Sequence, residues 1–182
     1  MVRLLIAGLL LLSGMLQPAY GQENAVIFDG ERYARVHREK QSDGDRMVQF
    51  VREPETLENW TRSLAFYRYT TIGNDPARAA AELRDNVKAA NPDTQARMIV
   101  HSETRDATVD FLTRARDGRY LEFNVMRYAM DSGGKGLVAF RFAHRFRGAA
   151  KELAEEFNKS QLSWRSQVME FEMAKIQAAL GD

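Results

Sequence analysis

A chain of 182 residues with 26 basic and 25 acidic side chains, the two signs interspersed, lacks the broad one-signed footprint that nucleic acid or an anionic membrane surface requires. It contains no cysteine, so it forms no disulfide and takes no lipid on a thiol, and packing alone has to hold the fold. The length suits one domain with a substantial core and excludes two ordinary ones.

Residues 1–21 read as a signal peptide: Arg3 precedes an apolar run from Leu4 to Leu12, and Ala19 and Gly21 place small residues ahead of a cut before Gln22. The run is too short for a spanning helix, which needs about 20 apolar residues. The expectation is a periplasmic or secreted protein with no membrane anchor after cleavage. Arg3 is the only charge removed, so the mature chain, residues 22–182, is formally neutral. No repeat, low-complexity tract or Pro/Gly/Ser-rich linker divides it, and it reads as a single α+β domain.

Alternating apolar and polar residues predict a strand from Tyr33 to Arg38, a turn at Ser42 to Asp45 and a returning strand from Met47 to Arg52. Pro54 ends it, a short turn runs from Leu57 to Trp60, and a third strand spans Ser63 to Thr70. Asp75-Pro76 is a helix start, since the Asp75 side chain can accept from orphan N–H groups and proline suits the first helical position. That helix reaches about Asn91, with a stripe of Ala79, Ala80, Leu83, Val87 and Ala90 that covers one side of the sheet.

Further strands are expected at Ala96 to Ser102, Thr108 to Ala115, Tyr120 to Met130 and Leu137 to Phe146. The sum is an antiparallel sheet of about six to seven strands flanked by helices. A three-residue loop at Arg116-Asp117-Gly118 would set Val109 opposite Val125 and Phe111 opposite Phe123. Across the Gly133-Gly134 loop, Val125 faces Phe142, Phe123 faces His144 and Glu122 faces Arg145. Arg127 shares the inner face with Phe123 and Val125, and is expected at the rim or against a carboxylate. The other face carries Tyr120, Met126, Tyr128, Met130, Leu137 and Ala139, apolar enough to need a cover, for which the terminal helix or a partner is the obvious choice.

A long helix from about Ala149 to Leu180 closes the chain with two apolar stripes. Leu153, Phe157, Trp164, Val168 and Phe171 cluster on one side, and Leu162, Met169, Met173, Ile176 and Leu180 fall nearly opposite. Either the helix breaks near Lys159 to Ser163 and folds back, or the second stripe is an adaptable Met-rich surface for a protein partner or a second copy. Leu162, Met169, Met173, Ile176 and Leu180 are therefore the candidate partner surface.

The run Glu53-Pro54-Glu55-Thr56-Leu57-Glu58-Asn59-Trp60-Thr61 resembles a segment of a family of uncharacterised exported bacterial proteins. The order of strands, helix, four strands and terminal helix also resembles the PsbP-like fold, an antiparallel sheet flanked by helices. The first resemblance implies no activity and no site residue. The second implies binding and assembly roles more readily than catalysis.

Chemistry finds little support. His37, His101 and His144 stand apart, without the short paired spacing of a metal site. The best constellation, His101 with Glu103, Asp106 and Asp110, reads as a solvated strand edge and turn, and His144 as a core-edge histidine making one hydrogen bond. No Gly-x-Ser-x-Gly elbow or Ser-x-x-Lys pair occurs. The Asp131 to Gly136 loop lacks the Ser or Thr and the helix that a phosphate loop needs after Lys135. In Phe140 to Arg147 strand parity turns the phenylalanines away from Arg141 and Arg145, so they form no stacking platform for nucleic acid. No residue is assigned to catalysis, a cofactor or a metal. The sequence is read as a non-enzymatic exported binding or protein-interaction module, with an immunity or envelope-assembly role; the alternatives are a small-ligand carrier and an envelope hydrolase.

Overall fold

The structure, a computed structural model, describes residues 25–40, 44–115, 117–148 and 150–181. The expected signal peptide, and Ser42 and Asp43 of the first turn, lie outside the described residues. Two four-stranded meanders share one sheet. The first, β1 (Val26–Phe28), β2 (Glu31–Lys40), β3 (Arg46–Arg52) and β4 (Arg62–Tyr69), runs from one edge to the middle. Helix α1 (Pro76–Ala90) carries the chain to the far edge, and β5 (Ala96–Val100), β6 (Ala107–Arg114), β7 (Leu121–Met130) and β8 (Leu137–Phe146) work back until β8 pairs with β4. All these neighbours are antiparallel. The described sheet thus has eight strands, more than expected; the addition is β1, whose three residues are too few to show alternation.

Helix α1 begins as its sequence dictates, with the Asp75 side chain accepting from the Arg78 N–H at 3.0 Å and Pro76 in the first turn. Its buried Ala79 and Ala80 let it lie close over β5, β6 and β7. This helix, and not the terminal one, covers Met126, Tyr128, Leu137 and Ala139. Gly136 sits against β4, where a Cβ would run into the Tyr69 carbonyl, and its φ of +88° is one that glycine alone adopts readily.

The β7–β8 hairpin keeps the expected register, with Val125 opposite Phe142, Phe123 opposite His144 and Glu122 opposite Arg145. The β6–β7 hairpin does not. Ala115 N–H donates to the Tyr120 carbonyl and Asp110 lies opposite Val125, so the hairpin closes on Ala115 and Tyr120 and its connection is one residue longer than expected. A one-residue slip turns every side chain of a strand to the other face. Val109 and Phe111 consequently join α1, while Asp106, Thr108, Asp110 and Leu112 point with Val125 toward the terminal helices.

The terminal helical region is α2 (Ala150–Glu170) followed by α3 (Met173–Leu180). The chain folds back, but the break lies at Phe171 and Glu172, not at Lys159 to Ser163, which is regular helix. Two contacts explain its position. The Phe171 ring packs 4.5 Å from Phe140 and 5.6 Å from Phe66, and the Arg127 guanidinium donates to the carbonyls of Met169 and of Phe171, taking up backbone acceptors that the ended helix leaves open. Arg127 is itself paired with Asp106 at 2.5 Å, both side chains buried, as a carboxylate-seeking inner-face arginine should be.

The core lies between this face of the sheet and α2–α3. Trp164 is fully buried among Phe123, Phe142, His144 and Phe146. Its indole N–H donates to Asp29 in the β1–β2 turn at 2.8 Å, and Gln167 holds the same carboxylate at 2.9 Å. Phe157, Val168 and Phe171 complete the expected inner stripe; the Leu153 side chain lies outside the described ones. At the end of α3, Arg38 donates to the Ala179 carbonyl at 2.6 Å, and Arg46 and Arg68 to that of Gly181 at 2.5 and 3.0 Å, cations placed where the helix dipole favours them.

Candidate functional site

Helix α2 crosses β7 and β8 and leaves the β5–β6 end of the same face without a helix above it. A groove results. Its wider part, about 940 Å³, runs between α2 and the strand ends and is lined by Lys88, Asp93, Arg97, Asp110, Gln161 and Arg165. A narrower apolar part, about 250 Å³, continues under the start of α2 against Tyr120, Leu121, Phe146 and Ala154, with Arg114 and Arg119 at its rim. Leu112, Phe157 and Asn158 border both, so the two form one trough.

The floor is rigid. Phe157 meets Phe123 edge to face at 5.0 Å, and the Arg165 guanidinium lies 5.4 Å from the same ring. Asp110 is the electrostatic hinge of the wall: one carboxylate oxygen is 3.2 Å from Arg97 Nε and the other 2.8 Å from Arg165 Nη2. Arg165 also donates to Gln161 at 2.6 Å, while its buried Nε has no partner. Among the described residues five cations and two carboxylates line the trough, with Arg97 and Arg165 paired to Asp110 and Arg119 to Asp117 outside the lining, over a floor that is apolar in its narrower part.

The stripe singled out in the sequence divides at the helix break. Leu162 is 69% exposed on α2, one turn after Asn158 and one before Arg165, on the helix surface next to the groove wall but outside the lining itself. Met169 is half-buried, and its sulfur accepts from the Thr108 hydroxyl. Met173 packs against the core, and Ile176 and Leu180, 0% and 6% exposed, lie within it. The change of direction at Phe171 carries these last three off the line that Leu162 and Met169 define.

The acidic constellation is likewise dispersed. His101 Nε2 is 3.1 Å from the Thr108 hydroxyl, Glu103 is exposed in the following turn, Asp106 serves Arg127, and Asp110 serves Arg97 and Arg165. Among the described residues no group of three or more such side chains is arranged to hold a metal ion. His144 points inward, but its expected hydrogen bond is not made: Nδ1 is buried without a partner, and Nε2 is 3.6 Å from Glu156.

Sequence reasoning missed Asp110 and Arg165 as a pair, because Arg165 is 55 positions away and the hairpin register placed Asp110 outside. The available signal was the polar half of the alternation at Asp106, Thr108 and Asp110, which reads as solvent-facing until the loop length is fixed.

A family model matches residues 20–173, most of the chain and all of the groove lining. The chain belongs to that family, an uncharacterised one. The matched span includes every groove residue named above and ends at Met173, so it contains α2 and stops at the start of α3. No curated protein matches the chain.

Proposed function

We propose that this family member is an exported, non-enzymatic binding module that holds an acidic, apolar-anchored segment of a partner protein in the groove beside α2. Export rests on the signal-like residues 1–21. The binding reading rests on one observation above all: a preformed trough whose apolar floor, Leu112, Leu121 and Phe157, is rimmed by more cations than carboxylates. An immunity or envelope-assembly role is consistent with such a surface. We further propose a PsbP-like relationship, supported by the order of elements and by helices on both faces of an antiparallel sheet.

A small-ligand carrier would use space between sheet and helix; at the centre of that layer Trp164, Phe123, Phe142 and Phe171 pack together, and the space that remains lies toward its edges, the apolar part of the trough included. The groove favours a peptide because it is long and open, with an exposed Leu162 next in sequence to Gln161 of its wall. Selection of a random peptide library displayed on phage tests the proposal. Enriched peptides should combine aspartate or glutamate with a large apolar residue, and should lose binding to the Leu162→Asp and Arg114→Glu variants. Enrichment of basic peptides, or binding indifferent to both variants, would overturn it.

A further inference from the structure

The two edges of the sheet are finished differently. At one, β1 has only three residues and offers little to a further strand. At the other, β5 is a regular strand of five residues, paired with β6 without a bulge and with no strand on its outer side among the described residues. It lacks the usual guards of an open edge: it has no proline, and its one charge, Arg97, is drawn to Asp110 of β6. Ile99 and Val100 are 45% and 52% exposed, the one adjacent pair among the exposed large apolar side chains of the described residues, and they lie on opposite faces of the strand. A molecule held against either face would leave the other bare, whereas a strand laid along the edge meets both.

The backbone fixes which residues such a strand would join. His101 N–H donates to the Asp106 carbonyl at 2.8 Å. Ala115 N–H donates to the Tyr120 carbonyl at 3.0 Å, which gives the odd-numbered residues of β6 to β7 and the even-numbered ones, Thr108 and Asp110 among them, to β5. Arg97 and Ile99 therefore turn their N–H and C=O toward β6, and Ala96, Met98 and Val100 turn theirs outward. An antiparallel copy of β5 has to join outward residues to outward residues. Centred on Arg97 it opposes like charges, centred on Met98 it sets Ile99 against Arg97, and centred on Val100 it sets Ile99 against His101. Centred on Ile99 it sets Ile99 against itself and Met98 against Val100, and of these registers it alone matches every exposed apolar side chain to another.

We propose that β5 is a self-association edge, to which a second copy of this chain adds its own β5 antiparallel about a two-fold axis at Ile99. Met98 and Val100 exchange backbone hydrogen bonds across the join, and the two Ile99 side chains meet in the non-hydrogen-bonded pair at its centre, where opposed residues come closest. The axis is perpendicular to the sheet, so both α1 helices stay on one face and both grooves on the other. Helix α1 lies over β5, β6 and β7, so its centre is three strand steps from that of its copy, about 14 Å, more than the roughly 8–10 Å at which helices pack, and neither obstructs the join. Five residues a side is small against a standard interface, so the dimer is a reversible one. The pairing does not depend on what the groove binds.

Sedimentation velocity over a concentration series of the purified chain should show a monomer–dimer equilibrium. Val100→Pro removes only an outward donor, leaves the bonds to β6 in place, and should abolish the dimer with the fold retained. Ile99→Lys and Ile99→Glu should each be monomeric alone and dimerise when mixed, because the two charges then face each other. The chain has no cysteine, so a single introduced thiol reports the register. Ile99→Cys should form an intermolecular disulfide under a mild oxidant, since opposed residues of a non-hydrogen-bonded pair lie about 4.5 Å apart at Cα. The more exposed Val100→Cys, which faces Met98, should do so about tenfold more slowly. An unsubstituted chain that is monomeric at every concentration, which would leave the edge to a strand of another protein, would overturn the proposal; so would a dimer that survives Val100→Pro, or equal cross-linking from Ile99→Cys and Val100→Cys. Leu162→Asp and Arg114→Glu should leave the dimer unchanged, so its failure and that of the peptide groove are separable.

Discussion

Helices α2 and α3 follow one another, meet the same face of the sheet, and are held in opposite ways. The short α3 is core: Ile176 and Leu180 are buried over β3, β4 and β8, and arginines from β2, β3 and β4 close its last carbonyls. The longer α2 is fastened along one line only, by Trp164 and Val168, and its flank toward β5 and β6 rests on the ion pairs of Asp110 and Arg165. Length alone would have ranked α2 as the better-packed helix, although α3 is the more apolar of the two. What decides is where the helix crosses the sheet, and a helix that lies mainly over β7 and β8 and reaches β6 through Arg165 and Met169 leaves a trough beside it.

The comparison breaks most severely at its anchors. Trp164→Ala removes the side chain on which α2 is seated, and should lower unfolding stability by about 3–5 kcal/mol in a denaturant titration. Arg127→Met leaves Asp106 buried and unpaired and strips the carbonyls at the helix break; breaking such a pair costs about 3–5 kcal/mol. Restoration by a second substitution, Asp106→Leu, would show that the loss came from the orphaned charge. Ile176→Ala should cost about 2–5 kcal/mol, whereas a surface residue would cost almost nothing.

A smaller effect concerns pH. Burial and the nearby arginines push the His144 pKa down from 6.5 to about 3, so the unfolded chain takes up its proton first. The stabilisation from a neutral buried ring is complete above the unfolded value and is lost as pH falls below it, at up to about 1.4 kcal/mol per pH unit for one proton. Between the ordinary histidine range and the onset of carboxylate titration, stability of the protein should fall more steeply than that of His144→Phe. Parallel curves would remove the histidine from the account. Least of all, Leu162→Asp should change stability by no more than about 0.5 kcal/mol, since its site is exposed.

Much of the fold was legible because its signals are local. Asp75-Pro76 set the start of α1, alternation set β7 and β8, and Gly133-Gly134 left their register unambiguous. The β6–β7 register was not legible, since the loop after Ala115 admits three or four residues and each choice gives a plausible face; only the arginines waiting at Arg127 and Arg165 distinguish them. For the same reason the stripe of Leu162, Met169, Met173, Ile176 and Leu180 divides in the structure. Leu162 lies exposed where the periodicity put it, while Ile176 and Leu180 depend on a break whose cause, Arg127 and the ring of Phe171, lies in other parts of the chain. Aspartate at Ile176 is consequently expected to unfold the domain and not merely to silence an interface.

The central claim is that the groove flank of α2 is the working surface, and photo-crosslinking from Leu162 tests it most directly. With the residue placed there in the native cells, adducts would be digested and the joined peptide sequenced. The account predicts one discrete partner, joined through an acidic segment with a large apolar residue and lost when Arg114 is replaced by glutamate. A folded protein that yields no adduct, or adducts that ignore Arg114→Glu, would contradict it.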